Sequence, residues 1–393
     1  MFKKSLIAIA ALGAFAGSAM AADITISGRI DTGLNFTDRE VKVGGETTLD
    51  QNTFQMKSGQ YSGSRVTIKG SEDLGNGMKV GFILENGFDS DDGELGQNGR
   101  IFGREAIVYL EGDFGHISMG REGALSSGVG SYNLVYGYAP WGTGWGSYTG
   151  NSGQFMIGDR DRFDNTITYR SPEFAGVQVY AQYSFKVDSQ DADEDPQTTK
   201  NKRYAGLGAT YNLGAFSTGL VVDTILNANT VDSTNTEDSL GVSWGASYDL
   251  GVTKPMILVQ YGKNEKKLGG FTAADVWNAK LSSDEGLKGY AIEIGAVTPL
   301  FGGNLYTSVN YTDAETDAEA DFGSGATSAL RTADIERWGV GVGYDYPLSK
   351  RTKVYGFASY NEGELKSHGV RDNSTLKTEQ TDIEAGVGLI HYF

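Results

Sequence analysis

Residues 338–346 read Trp-Gly-Val-Gly-Val-Gly-Tyr-Asp-Tyr, and the spacing of types in this stretch decides the fold. Trp338, Val340, Val342, Tyr344 and Tyr346 fall at every second position, with Gly339, Gly341, Gly343 and Asp345 between them. Side chains of an extended strand point alternately to opposite faces, so this period puts every bulky apolar group on one face and only small or charged groups on the other. Working outward, the same pattern recurs. Val177, Val179, Ala181, Tyr183, Phe185 and Val187 alternate with Gln178, Tyr180, Gln182, Ser184 and Lys186. Leu305, Thr307, Val309 and Tyr311 alternate with Asn304, Tyr306, Ser308 and Asn310. At the end of the chain, Ile383, Ala385, Val387, Leu389, His391 and Phe393 oppose Asp382, Glu384, Gly386, Gly388, Ile390 and Tyr392. About sixteen such strands are expected, from one near 23–36 and one near 61–72, through one near 99–111, to one near 351–361 and the last near 381–393.

The connections alternate in length. Tight turns are expected at 73–77, 112–115, 171–176, 299–303 and 347–350, and long polar stretches at 37–60, 123–162, 188–201, 265–286, 315–333 and 362–380. Transmembrane β-barrels have short turns at one rim and long loops at the other. In hydrocarbon each peptide group needs an internal partner, so a spanning sheet has to close on itself. Eight strands would fill with side chains, whereas about sixteen leave a water-filled lumen. The expected fold is therefore an all-β transmembrane antiparallel barrel with a polar inner wall.

Composition agrees. Met1-Phe2-Lys3-Lys4, the apolar run Leu6–Ala16 and Ala19-Met20-Ala21 have the layout of a secretory signal peptide spanning 1–21, followed by one barrel domain over 22–393. No other segment approaches the ~20 apolar residues of a membrane-spanning helix. The formal charge of −17 becomes −19 without Lys3 and Lys4, which excludes a general nucleic-acid binder. There is no cysteine, hence no disulfide framework and no thiolate nucleophile or metal site. No cofactor or metal motif is found. His116, His368 and His391 are isolated, and Gly241-Val242-Ser243-Trp244-Gly245 lies inside an alternating strand rather than at the sharp turn that a nucleophilic serine needs.

Five stretches, taken together and in order, resemble the Gram-negative general diffusion porins: SRVTIKGSEDLG at 64–75, GRIFGREAIVYL at 99–110, DFGHISMGR at 113–121, TYRSPEFAG at 168–176 and GVGLIHYF at 386–393. The resemblance implies a sixteen-stranded barrel in the outer membrane, a homotrimer, and a third external loop folded into the lumen. It also implies contact with outer-membrane lipid and lipopolysaccharide, and a terminal phenylalanine, Phe393, read by the barrel-assembly machinery. The cargo would be small hydrophilic solutes. Matching the motifs residue by residue puts Arg29, Arg65, Arg104 and Arg162 on a basic wall, with Arg100 as an addition.

The facing element would be loop 123–162, the longest connection, carrying Tyr136, Tyr138, Trp141 and Trp145. Relatives carry acids at its tip, but this chain reads Pro140-Trp141-Gly142-Thr143-Gly144. Its carboxylates lie near the base: Glu122, Asp159, Asp161 and Asp164. Two expectations oppose each other. The arginines favour anions, while acidic clusters such as Asp89–Glu94 concentrate cations at the mouth. The alternatives to a general diffusion channel are a sugar- or anion-preferring channel of the same fold, a barrel enzyme such as a lipid hydrolase, and a secreted β-protein such as an adhesin.

Overall fold

A computed structural model describes residues 23–149, 160–190, 201–227, 237–265, 286–316, 330–369 and 374–393, with the backbone alone of short segments at 280–281 and 320–321. The expected signal peptide 1–21 and Asp159 lie outside the described residues. The first strands are β1 (Asp23–Val43), β2 (Glu46–Ser58), β3 (Arg65–Gly75), β4 (Met78–Gly87), β5 (Glu105–Gly112) and β6 (Gly115–Gly123). Next come β7 (Arg162–Arg170), β8 (Val177–Ser184), β9 (Arg203–Leu213), β10 (Phe216–Leu226), β11 (Leu240–Tyr248) and β12 (Lys254–Glu265). Then follow β13 (Lys280–Leu281), β14 (Leu287–Leu300), β15 (Gly303–Thr316), β16 (Ala320–Asp321), β17 (Leu330–Ser349), β18 (Thr352–Gly369) and β19 (Thr375–Tyr392).

Successive strands pair antiparallel except that β2 and β3 do not pair with each other and that β12 pairs with β14 and β15 with β17, and β1 returns to pair with β19 from Arg29↔Tyr392 to Val43↔Thr378. β2 and β3 both pair with the same edge of β1 and form one stave, while β13 and β16 only extend the ladder beside β17. Sixteen staves therefore close into a barrel among the described residues. Closure leaves no open edge to desolvate. The seam is finished by the terminal residue: Gly28 N–H donates to the Phe393 carbonyl at 3.0 Å and Phe393 N–H to the Gly28 carbonyl at 3.1 Å.

The faces follow the period. Ile26, Leu207, Val309, Trp338, Val340 and Val342 point outward and are exposed, while Asp31, Ser308, Asn310, Arg337, Asp345 and Glu384 point inward. An outer surface this apolar is unfavourable in water and favourable in hydrocarbon. The tight turns carry the chemistry such turns need. Asn76-Gly77, with φ of +52° and +76°, is the two-residue hairpin whose twist matches that of its strands.

Several expected boundaries are corrected. Segments 37–60 and 362–380 are mostly not loops: β1 and β2 continue as a hairpin turning at Gly44-Gly45, and β18 and β19 run on to Gly369 and from Thr375. Beyond the membrane a strand can be polar on both faces and keep its hydrogen bonds, so polarity there does not signal a loop. β5 starts at Glu105 rather than near 99, because residues 88–104 fold as a connection. Finally, β3 starts at Arg65 rather than at 61, because residues 59–64 leave the ladder.

Candidate functional site

The connection between β6 and β7 turns into the barrel and runs round its inner wall. Leu125, Tyr132, Leu134, Val135, Tyr136 and Ala139 pack on Tyr180 of β8, Val221 of β10 and Leu258 of β12. Farther on, Trp141 and Trp145 pack with Tyr355 and Phe357 of β18 and Ile390 of β19, flanked by Tyr61, Tyr306 and Tyr392. The wall is shaped for the indoles. Trp141 Nε1 donates to Ser308 at 2.5 Å, and a Cβ on Gly343 would meet Trp141 and Trp145 each at 2.9 Å. The glycines of 339–343, which the sequence shows only as small wall residues, include the seat of the loop. Gly343→Val should overpack this seat and cost about 1–3 kcal/mol. A lower temperature for loss of the compact, heat-modifiable gel band would report it; an unchanged temperature would mean that the indoles do not bear on this wall.

Each limb of the loop is held by a wall carboxylate. At its start, the buried Glu122 accepts from Ser118 at 2.9 Å, Thr166 at 2.9 Å, Thr168 and Gln182. At the far end of its described part, Glu384 accepts from the backbone N–H of Ser147 at 2.8 Å, Tyr148 at 2.7 Å and Thr149 at 3.0 Å. On the return, Arg160 is bonded to Asp223 at 3.0 Å, to Glu265 and to Ser239. Tyr136, Tyr138, Trp141 and Trp145 are all buried in this arrangement, as is Glu122, so none of the five presents a free face to the lumen. Burial holds the Tyr138 hydroxyl un-ionised, its pKa pushed up to about 12. Asp161 is exposed and pairs with Arg162 at 2.9 Å.

A second element enters the lumen. Arg29 pairs with Arg65 and Thr32 with Ser58, so six residues, 59–64, stand opposite only Ile30 and Asp31. Asp31 organises this surplus: its Oδ2 accepts from the N–H of Tyr61 and of Ser62, each at 2.7 Å, and its Oδ1 from the Tyr355 hydroxyl at 2.5 Å. Trp145 N–H and Gly146 N–H donate to the Gln60 carbonyl at 2.5 and 2.9 Å. The long loop thus docks on the short one. Together they cover the wall from β8 round to β19.

The basic residues stand on the remaining wall. Arg29 Nη1 donates to Ser62 Oγ at 3.0 Å, and its guanidinium lies 5.2 Å from the Tyr392 ring centre. Arg65 donates to Ser62 Oγ at 3.2 Å and to Glu85 at 3.4 Å; Arg104 donates to the same Glu85 oxygen at 2.8 Å. Arg162 Nε donates to the Arg104 carbonyl at 3.0 Å. Arg29 and Arg65 meet at Ser62, Arg65 and Arg104 at Glu85, and Arg162 at the Arg104 carbonyl, which brings these four expected arginines into one cluster. Arg100 is used differently: with Arg121 it grips Asp164, at 2.9 and 2.6 Å, and it reaches Asp188 at 2.5 Å.

Sequence reasoning passes over Asp31, Ser62, Glu85, Arg121 and Glu384. Asp31 is within its reach, being two residues from Arg29 and so on the same face. Ser62 is not, because 61–64 read as the start of a strand. The histidines have local partners, His116 with Glu111 at 3.1 Å, His368 with Asp334 at 3.0 Å and His391 with Thr352 at 2.9 Å. Ser243 sits inside β11, where Gln260 donates to it at 3.2 Å.

Comparison with known proteins gives concordant results. A family model described as Gram-negative porin matches residues 8–365. The chain is 30% identical to an outer membrane porin protein of Bordetella pertussis, over all of both chains. It is also 30% identical to outer membrane porin protein 32 of Delftia acidovorans, over 98% of this chain and 94% of the other. Among solved structures, the anion-selective porin from Comamonas acidovorans superposes with a TM-score of 0.60 at 25% identity, covering 95% of this chain and all of that one. The trimer form of OmpT from Vibrio cholerae shares the fold, with a TM-score of 0.58 at 14% identity over 95% of this chain and all of that one.

Proposed function

The chain belongs to the Gram-negative porin family and is an outer-membrane porin, and from that premise we propose that its channel passes small hydrophilic solutes with a preference for anions. One observation carries the preference: Arg29, Arg65, Arg104 and Arg162 gather on one side of the barrel, Arg104 buried and the other three half-buried, and Arg65 and Arg104 share the single carboxylate of Glu85. Rings and rows of charge at a narrow point set selectivity directly. The opposing acids Asp89, Asp91, Asp92 and Glu94 lie on the connection between β4 and β5, and among the described residues none of them forms an ion pair with the four arginines. Charge at the narrow point therefore outweighs net charge. The similar porin from Comamonas acidovorans is described as anion-selective, which supports the same sign.

Reversal potential in a salt gradient tests this. The wild type should favour chloride over potassium. Arg65→Ala should weaken that preference several-fold, since one unit charge at about 4 Å in water is worth about 1 kcal/mol. Cation preference in both proteins would overturn the proposal. The sugar-preferring alternative loses its support, because the loop aromatics that would stack on a sugar are packed on the barrel wall.

Export by cleavage after Ala21, recognition of Phe393 by the assembly machinery, contact with lipopolysaccharide and assembly as a homotrimer complete the proposal. The outward faces of β18 and β19 carry Gly356, Ala358 and Ala385, and small residues let neighbouring membrane surfaces approach closely.

A further inference from the structure

The short turns at the periplasmic rim share a feature that the channel does not use. Four of them repeat one pattern: Asp73-Leu74-Gly75, Asp113-Phe114-Gly115, Asn212-Leu213-Gly214 and Asp249-Leu250-Gly251. In two of these the aspartate turns back on the chain, Asp73 Oδ1 accepting from Gly75 N–H and Asp249 Oδ1 from Gly251 N–H, each at 2.8 Å. The turn's own backbone thereby satisfies the carboxylate, and the leucine between stands at the tip. The other three short turns carry Phe174, Phe301 and Leu348 at the same place. Phe174 and Phe301 are 83% and 87% exposed. A lone exposed leucine means little, but all seven short turns among the described residues, from β3–β4 round to β17–β18, bear an exposed Leu or Phe. The opposite rim differs. Toward the tip of the β1–β2 hairpin, the outward positions are Asp38, Glu40 and Lys42, paired with Asn52, Asp50 and Thr47.

The tips continue the lipid-facing surface. Leu213, Leu250 and Leu348 stand two positions beyond Tyr211, Tyr248 and Tyr346, which lie on the outward face. Outward tyrosines also hold the turns: the Tyr169 hydroxyl donates to the Phe114 carbonyl and the Tyr344 hydroxyl to the Leu300 carbonyl, each at 2.9 Å. Such tyrosines form a belt at headgroup level. Two residues of strand span about 7 Å, which a tilt of about 35–45° reduces to about 5 Å of depth. The headgroup layer on each side of the hydrocarbon is itself about 5–7 Å thick, so the tips end inside it and short of bulk water. We propose that these turns dock the barrel on the phospholipids of the inner leaflet, their Leu and Phe side chains seated among the glycerol and upper acyl groups, and so fix its depth. Phospholipid is the occupant because the ring prolongs a surface already in hydrocarbon. A second copy in the same membrane plane would reach only the tips on one side, whereas the ring runs round the rim. The proposal rests on the outer-membrane location and not on the preference for anions.

The chain has no cysteine, so the whole barrel can carry a nitroxide at one introduced position in vesicles of phosphatidylethanolamine and phosphatidylglycerol. Labels at Phe174→Cys, Leu213→Cys and Phe301→Cys should collide with a water-soluble nickel chelate severalfold less often than a label at Glu46→Cys beside the hairpin tip, while staying open to dissolved oxygen. Nickel collision equal to that of Glu46→Cys overturns the proposal, since the tips then stand in water. Exclusion of nickel and oxygen together also overturns it, because protein rather than lipid then covers them. Depth itself is read from Val179→Cys, on the lipid face of β8. Adding Leu213→Ser, Leu250→Ser, Phe301→Ser and Leu348→Ser to it should let the barrel settle toward the periplasm and raise nickel collision at that label severalfold. An unchanged collision rate there, with the compact heat-modifiable gel band retained, overturns the docking role. If the combined variant does not fold, the three single labels still decide.

Discussion

Replacing Glu384 with alanine should release the inward loop from its wall and give a larger, noisier single-channel conductance. The carboxylate is fully buried and serves the N–H groups of Ser147, Tyr148 and Thr149, the Thr149 hydroxyl at 3.0 Å and Asn35 Nδ2 at 2.9 Å. Three successive amides converging on one anion form a nest whose hold disappears with the anion. Each buried donor left without an acceptor costs about 1–3 kcal/mol, and the loop can avoid that cost only by moving its amides into lumen water. The barrel itself should persist, because the backbone ladder from β18 through β19 to β1 does not involve this side chain. Glu384→Gln, which retains one carbonyl oxygen but brings an amide donor toward other donors, should be intermediate. A Glu384→Ala channel with wild-type conductance and quiet current would show that the loop is held without this latch.

Arg160→Leu should be the most destabilising single change in the lumen. Arg160, Asp223 and Glu265 have side chains 3%, 1% and 2% exposed, and Tyr204 adds a hydrogen bond to Asp223 at 3.1 Å. Removing the cation strands two buried carboxylates beside each other, and breaking a buried ion pair by deleting one partner costs about 3–5 kcal/mol. The expected result is a lower urea midpoint for unfolding from detergent micelles. Adding Asp223→Asn and Glu265→Gln to Arg160→Leu should recover much of the loss, because the stranded charge is then gone. If the single variant unfolds at the wild-type midpoint, the triad contributes nothing to stability. Failure of the added substitutions to help would instead place the loss in packing around the arginine stem.

Both predictions concern charged groups on or against the inner wall, and these show where sequence reading stops. Alternation places Glu384 on the polar face of the last strand, and Arg65 on the face opposite Val66 and Ile68. Membership of a face follows from the period of the strand alone, since a one-residue slip would turn every apolar side chain into the lumen. Which polar side chains meet across that lumen does not follow from period. Glu122 and Arg65 read alike in one dimension, as charged residues on inward faces. In the folded chain Glu122 is sealed beneath Tyr132, whose hydroxyl lies 3.0 Å from Ser118, while Arg65 joins an arginine cluster.

The strand boundaries differ for related reasons. Residues 37–43 and 46–58 read as loop because they are polar, but hydrogen bonding between neighbouring strands is indifferent to side-chain polarity outside the bilayer. Residues 61–64 read as strand because they precede an alternating run. Their departure from the ladder is decided by Asp31 and Tyr355, which lie 30 and 294 positions from Tyr61 along the chain and meet it only once the barrel has closed.

By itself, then, the sequence determined the closed barrel, its greasy outer and wetted inner faces and its asymmetric rims, because each depends on strand period and local turn chemistry, whereas the arginine wall was implied by family resemblance, with alternation supporting Arg65 alone. Tertiary structure alone decided which carboxylates hold the inward loop, how residues 59–64 enter the lumen, and which arginines keep uncompensated charge. Those outcomes depend on contacts between staves far apart in the chain, and a periodic pattern carries no information about which distant side chains face one another.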